Sequence, residues 1–329
     1  MSGSCGDVAV NSIEPDPSAL PIIVLTGPTG VGKTELAIQL AALLDAEIIN
    51  ADSMQVYRTM DIGTAKPTLE QRACVPHHLL DVVFPDEAFD AGLYLRHAQP
   101  VIKELQQRGK IPLVVGGTGL YLKALAHGIC KAAPGDAGTR HQLQLELQEH
   151  GLALLHRELQ KVDPDLASRV QPQDRQRILR ALEVFRSTGQ PLSKWQAQHG
   201  FRSIRYRTIK IFLNRPREEL YARIDQRVEA MMVQGFLDEV RSLLERGYGP
   251  ELKSMQALGY RHLAAYLAGK LALNDAVEGI RRDTRRYAKR QLTWFRADPE
   301  YAWLAADQAE EVVRFVDHAL ADIRPSAAG

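Results

Sequence analysis

One segment constrains this chain above all others. Gly27, Pro28, Thr29, Gly30, Val31, Gly32, Lys33 and Thr34 follow the spacing G-x-x-x-x-G-K-[ST]. An apolar run at 21–26 precedes them and an amphipathic pattern at 35–44 follows, which predicts strand, glycine-rich loop and helix in that order. Glycines let the backbone curl until its N–H groups converge on an anion. The following helix adds its positive N-terminal end. Lys33 then reaches the outer phosphates, and Thr34 offers a hydroxyl to Mg²⁺. The loop specifies a polyphosphate ligand without specifying which one.

The rest of the N-terminal part reads as parallel α/β. A short apolar strand at 46–52 ends in Asp52, and ligands in such sheets gather at the carboxyl ends of strands. Asp52 therefore falls on the same edge as the phosphate loop, as a functional acid or as a helix cap. His77 and His78 point to opposite faces if extended, so they read as structural residues rather than metal ligands. A helix at 89–108 leads to a buried-type strand from 110, which turns through Gly116, Gly117, Thr118 and Gly119 into a helix at 120–126. Many phosphate-loop hydrolases carry an Asp at the end of this strand. Here two glycines stand there, so ATP hydrolysis is poorly served. The glycines admit close approach to the backbone, and Thr118 can hydrogen-bond what approaches.

From Cys130 the texture changes. The stretch 132–139 is rich in Gly, Ala and Pro and reads as a hinge, and 140–160 is amphipathic helix interrupted by Gly151. Further helices are expected after Asp163, over 173–183 and over 194–198. With strand signals absent, 131–203 reads as an all-helical insertion. A strand at 206–213 returns the chain to the sheet, and helices follow over 217–234, 236–246, 259–268 and 273–297. The expected organisation is a tail at 1–20, an α/β core at 21–130 and 204–329, and the insertion at 131–203. Within 281–296, Arg281, Arg282, Arg285, Arg286, Lys289, Arg290 and Arg296 face one acid, Asp283. Tyr287, Trp294 and Phe295 are interleaved, which favours binding to a phosphate backbone.

Composition adds limits. At 329 residues, with 45% hydrophobic and 25% charged residues, the chain is a globular protein of about two domains. Its net charge of +1 supplies no general field for nucleic acid, so basic surface must be local. Cys5, Cys74 and Cys130 have neither disulfide nor zinc spacing. The N-terminus lacks the basic and apolar regions of a signal peptide, and no apolar run approaches a membrane span. A cytoplasmic monomer is expected.

Several motifs occur in order: the phosphate loop, Asn50-Ala-Asp-Ser-Met-Gln-Val-Tyr57, Asp61-Ile-Gly-Thr-Ala-Lys-Pro67, Pro76-His-His-Leu-Leu-Asp81, Val115-Gly-Gly-Thr-Gly-Leu-Tyr121, Met255-Gln-Ala-Leu-Gly-Tyr-Arg261 and Lys289-Arg-Gln-Leu-Thr-Trp-Phe-Arg296. Together they closely resemble the bacterial tRNA dimethylallyltransferase family, over about residues 21–300. The resemblance implies a phosphate-loop NTPase-like fold. It also implies transfer of a dimethylallyl group from dimethylallyl diphosphate to the exocyclic N6 of the adenosine 3′ of the tRNA anticodon, with Mg²⁺ assisting. The loop would then hold a diphosphate leaving group, which fits the missing hydrolytic acid.

On that reading Lys33, Thr34 and magnesium neutralise the leaving diphosphate, and Asp52 accepts the N6 proton. Thr118 orients the adenine or the diphosphate, and Arg223 is a further diphosphate clamp. The tRNA contacts implied are Asp52, Ser53, Met54, Gln55, Thr118 and Arg140, then Gln176, Arg177, Ile178, Leu179 and Arg180. Gln256, Ala257, Leu258, Gly259, Tyr260 and Arg261 follow, with Lys289, Arg290, Gln291, Leu292, Thr293, Trp294, Phe295 and Arg296. The target base must be flipped out of its stack. Two other functions suit the loop: a small-molecule or nucleotide kinase, and an RNA-binding module gated by nucleotide. Both need ATP chemistry that the missing acid weakens.

Overall fold

The structure is a computed structural model and describes residues 19–130, 136–200 and 205–323. The tail expected at 1–20 lies outside these residues except for its last two, and so do residues 132–135 of the expected hinge. The described residues form two compact units, one of residues 127–130 and 136–200 and one of residues 19–126 and 205–323.

The larger unit opens with β1 (Ile22–Thr26), α1 (Lys33–Leu43) and β2 (Ala46–Asn50). It continues through α2 (Leu69–Cys74), β3 (His77–His78), α3 (Ala91–Gln107), β4 (Ile111–Val115) and α4 (Gly119–His127). Six strands form one parallel sheet in the order β3-β2-β4-β1-β5-β6, where β5 is Thr208–Asn214 and β6 is Ala302–Ala305. Val24 lies centrally, beside Val114 on one side and Lys210 on the other. All of β1 is buried, as its unbroken Ile-Ile-Val-Leu run requires of a strand covered on both faces. One face packs on Leu36, Ala37 and Leu40 of α1, and on Val312, Val316 and Leu320 of the C-terminal helix. Phe212, Phe295, Tyr301 and Trp303 form an aromatic group around β5 and β6.

Two features depart from the sequence expectation. The strand expected to reach Asp52 stops at Asn50, and the Asn50 side chain turns the chain by bonding both N and O of Asp52. After the helices, β6 adds a sixth strand that the helical reading of the C-terminal region did not contain. His77 and His78 do face apart: His77 Nδ1 bonds the Val75 carbonyl, and His78 Nε2 bonds Glu47.

The unit at 127–203 contains α5 (Ala137–His150), α6 (Leu152–Val162), α7 (Pro164–Ala167), α8 (Arg175–Thr188) and α9 (Leu192–His199). No strand occurs among its described residues. Its own core gathers Leu143, Leu155, Leu159, Ile178 and Leu182. Gly151 separates α5 from α6 at a φ of 75°, which explains the break in the helical pattern. The remaining helices belong to the larger unit: α10 (Arg217–Val233), α11 (Phe236–Glu245), α12 (Tyr260–Leu267), α13 (Leu273–Arg296) and α14 (Ala309–Ile323).

Candidate active site

The phosphate loop joins β1 to α1 at the carboxyl edge of the sheet. Gly32 caps α1 at a φ of 105°, a left-handed geometry that a side chain would strain. The first N–H groups of α1 have no partner within the helix and point toward its N-terminal end, where the loop lies. Lys33 Nζ folds back on the loop and donates to the carbonyls of Gly27 and Pro28 at 2.9 and 3.0 Å. Burial brings its pKa down to about 8; Asp52 opposes that shift and nearby Arg227 reinforces it. Two arginines strap the loop from α10 and the segment before it. Arg223 Nε donates to the Gly30 carbonyl at 3.0 Å, and Arg215 Nε donates to that of Val31 at 2.9 Å.

Across the edge lies the segment after β2. The Asp52 carboxylate accepts the Met54 N–H through Oδ1 at 2.8 Å, and its Oδ2 accepts no hydrogen bond among the described residues. Its charge acts on Lys33, Arg227, Tyr121 and Tyr287. The Thr118 hydroxyl accepts the Ser53 N–H at 3.0 Å, and the Thr118 N–H donates to the Ala51 carbonyl at 3.2 Å. Gln55 braces the same segment by donating to the carbonyls of Thr64 and Ala65. The Asp61–Lys66 turn is itself clamped. Glu239 accepts the N–H groups of Asp61, Ile62 and Gly63 at 2.8, 2.7 and 3.1 Å, and buried Lys66 bridges Asp61 and Asp81.

Helix α13 closes over this arrangement. Buried Gln291 accepts the Thr29 N–H at 2.9 Å and donates to the Gly117 carbonyl at 3.0 Å. A Cβ on Gly117 would fall 2.2 Å from Gln291 Nε2, and one on Gly119 would fall 2.1 Å from the Trp294 indole nitrogen. Gly117 and Gly119 thus admit α13, and Gly116 admits the Ala51 backbone.

The structure brings Lys33, Thr34, Asp52, Thr118 and Arg223 to one edge, and adds Arg227 and Tyr287. Arg227 is not among the site residues expected from the sequence, although it lies one turn beyond Arg223 on the same face of α10. Burial and Arg223 lower its pKa, while Asp52 supports its charge. Burial, then Asp52, pushes the Tyr287 phenol upward.

Several residues expected to contact tRNA do not offer their side chains to a ligand. Ile178 is in the core of the helical unit, and Phe295 packs on Phe212 and Tyr301. Tyr260 is buried and donates its hydroxyl to Glu239 at 2.6 Å; Gly259 is buried against Phe236, and Gln291 is spent on the two loops. Apolar burial and internal hydrogen bonding outweigh exposure at each position. Leu179, Arg180, Ala257, Leu258 and Leu292 are half-buried, whereas Gln176, Arg177, Gln256, Arg261, Lys289, Arg290, Thr293, Trp294 and Arg296 are exposed. Arg140 and Arg180 both pair with buried Glu183. The basic helix is also less free than its sequence reads. Arg285 forms a two-pronged pair with Asp225, Arg281 pairs with Glu229 and Glu278, and Arg282, Arg286 and Arg261 converge on Asp283. Lys289, Arg290 and Arg296 are exposed with no ion pair among the described residues, Arg290 over the Tyr287 ring and Arg296 over that of Trp303.

This geometry accompanies clear likenesses. The family model described as IPP transferase matches residues 55–298. A tRNA dimethylallyltransferase of Syntrophobacter fumaroxidans is 64% identical over 298 residues, covering 90% of this chain and 87% of the relative. One from Desulfosudis oleivorans is 51% identical, covering 91% and 96%. Among solved structures, the tRNA isopentenylpyrophosphate transferase of Bacillus halodurans aligns with a TM-score of 0.69 at 38% identity, covering 92% of this chain and 97% of that one. A eukaryotic dimethylallyltransferase acting on tRNA aligns with a TM-score of 0.78 at 30% identity, covering 94% and 81%.

Proposed function

This chain belongs to the IPP transferase family, and from that premise we propose how its site carries out tRNA dimethylallylation. The donor is dimethylallyl diphosphate, and the acceptor is N6 of the adenosine 3′-adjacent to the anticodon. The observation that carries this reading is the pairing of a phosphate loop with Asp52. No acid stands at the end of β4, where Gly116 and Gly117 meet Ala51 and Gln291. The loop is therefore suited to releasing diphosphate rather than to activating water on ATP.

The loop N–H groups, Lys33 and the arginines Arg223 and Arg227 receive the diphosphate. As the bond from prenyl C1 to the diphosphate oxygen breaks, negative charge gathers there, and these cations stabilise it. N6 forms the new bond to C1, and Asp52 takes the proton that N6 sheds. A neutral exocyclic amine shares its lone pair with the ring, so attack gains from that proton transfer. Thr118 holds Ser53, and through it the Asp52 segment, and can orient the base. Among the described residues no group of three or more His, Cys, Asp and Glu could cage a metal. One hydroxyl, Thr34, with diphosphate oxygens and water, suits Mg²⁺, which keeps most of its waters. When bound, magnesium would add charge neutralisation at the leaving group.

The acceptor is a single-stranded loop base that must leave its stack to enter the site. Lys289, Arg290, Arg296, Gln256, Arg261, Arg140, Gln176 and Arg177 are the exposed groups proposed to meet the RNA. No described helix is long and apolar enough to cross a membrane. A cytoplasmic monomer fits the substrate, since tRNA is abundant there. The test is incubation with dimethylallyl diphosphate and unmodified tRNA, followed by digestion to nucleosides. N6-dimethylallyladenosine from the position 3′ of the anticodon is expected. Unaltered nucleosides, or prenylation elsewhere, would overturn the reading.

A further inference from the structure

We infer that Gln291 is a positioning residue that locks the phosphate loop and the Asp52 segment at one fixed separation. The inference rests on the prenyl-transfer reading of the site. Gln291 is 5% exposed, so it is an internal part of the site rather than a surface contact of the basic helix. Its amide is planar, which ties the two partners together. Oε1 accepts the Thr29 N–H of the phosphate loop at 2.9 Å, and Nε2 donates to the Gly117 carbonyl at 3.0 Å.

From Gly117 the line continues to the base. The Thr118 N–H holds the Ala51 carbonyl, the Thr118 hydroxyl holds the Ser53 N–H, and Asp52 Oδ1 holds the Met54 N–H. The donor loop and the carboxylate therefore share one hydrogen-bonded path, with Gln291 as its bridge. The close approach is built in from both sides. Gly117 has no Cβ where Gln291 lies, and Gly119 has none where Trp294 lies three residues further along the same helix face. Prenyl C1 rides on the donor loop, and the N6 proton goes to the carboxylate, so their separation sets the reacting geometry. A misplacement of about 1 Å can cost on the order of 10²-fold in rate.

Two variants test this, each in the full-length protein with wild type in parallel. Gln291→Leu keeps the bulk and removes both bonds. Gln291→Glu keeps the acceptor for Thr29 but turns an oxygen toward the Gly117 carbonyl. When protonated, that carboxyl donates to the carbonyl and restores the bridge. At saturating donor and tRNA, both variants should lose about 10- to 100-fold in single-turnover rate at pH 8, with tRNA affinity within about threefold of wild type. The Gln291→Glu rate divided by the wild-type rate should rise as pH falls from about 8 to 5.5, because protonation repairs the bridge. A purely structural defect would leave that ratio flat.

Wild-type single-turnover rates in both variants overturn the inference. So does a loss confined to tRNA affinity, which would make Gln291 an RNA contact, and so does a flat ratio. If Gln291→Leu does not fold, the pH series on Gln291→Glu decides alone. Absence of transfer by wild type would overturn the underlying reading of the function instead.

Discussion

On the proposed mechanism Asp52 receives the N6 proton on Oδ2, the carboxylate oxygen that the turn leaves without a hydrogen bond among the described residues. Asn50 holds its backbone and Met54 occupies Oδ1. Asp52→Asn keeps shape and loses basicity. The single-turnover rate should fall about 10²–10⁴-fold, with donor affinity little changed. A rate near wild type would make Asp52 a positioning group. Lys33 gives a pH prediction of defined sign. Its free-enzyme pKa is brought to about 8 by burial, so above that pH Lys33 is increasingly neutral while the arginines keep their charge. Binding diphosphate then requires proton uptake, and donor affinity should fall by up to about tenfold per pH unit above 8. Donor titrations across pH 7–9 check this, and a flat profile contradicts it. Both residue types and the loop position of Lys33 were legible in the sequence, whereas Asp52, expected as the last residue of a strand, lies in the turn after β2. Arg227 was not singled out, because its role depends on how α10 faces the loop.

At the scale of the element, α13 shows why a charge run is a poor guide to free charge. The sequence displays a row of cations against Asp283. The structure brings Asp225 and Glu229 of α10 to Arg285 and Arg281. Those acids lie more than fifty positions away along the chain, so spacing alone could not reveal the pairs. Arg282 and Arg286 are exposed but share Asp283, whereas Lys289, Arg290 and Arg296 at the far end are exposed with no ion pair among the described residues. Replacing these three by Gln should weaken tRNA binding and lower the slope of log K against log salt by about 0.7–0.9 for each phosphate left unneutralised. Arg285→Gln should instead leave Asp225 without its partner and barely change the slope. Filter-binding titrations across salt separate the two variants. Equal slopes for triple variant and wild type would return this end to an ordinary solvated surface.

Across the whole molecule, much of the α/β order could be read from β1, the phosphate loop, β4 and the glycine turn, where apolar runs end in residues of special geometry. The outer strand β6 escaped because its four residues are all half-buried and show no alternation. Helix α14 closes the sheet with Val312 and Val316, both fully buried. A chain ended at Asp298 should therefore expose that core face and melt well below the full-length protein; an unchanged melting temperature would contradict the packing. One experiment tests prenyl transfer directly. Dimethylallyl diphosphate labelled in the prenyl group is mixed with excess enzyme and an unmodified anticodon stem-loop, while diphosphate release is followed in parallel. Label is expected to enter the RNA in step with diphosphate release, and Lys33→Ala is expected to abolish both. Diphosphate released without label in the RNA, or ATP consumed with no prenyl transfer, would contradict this expectation.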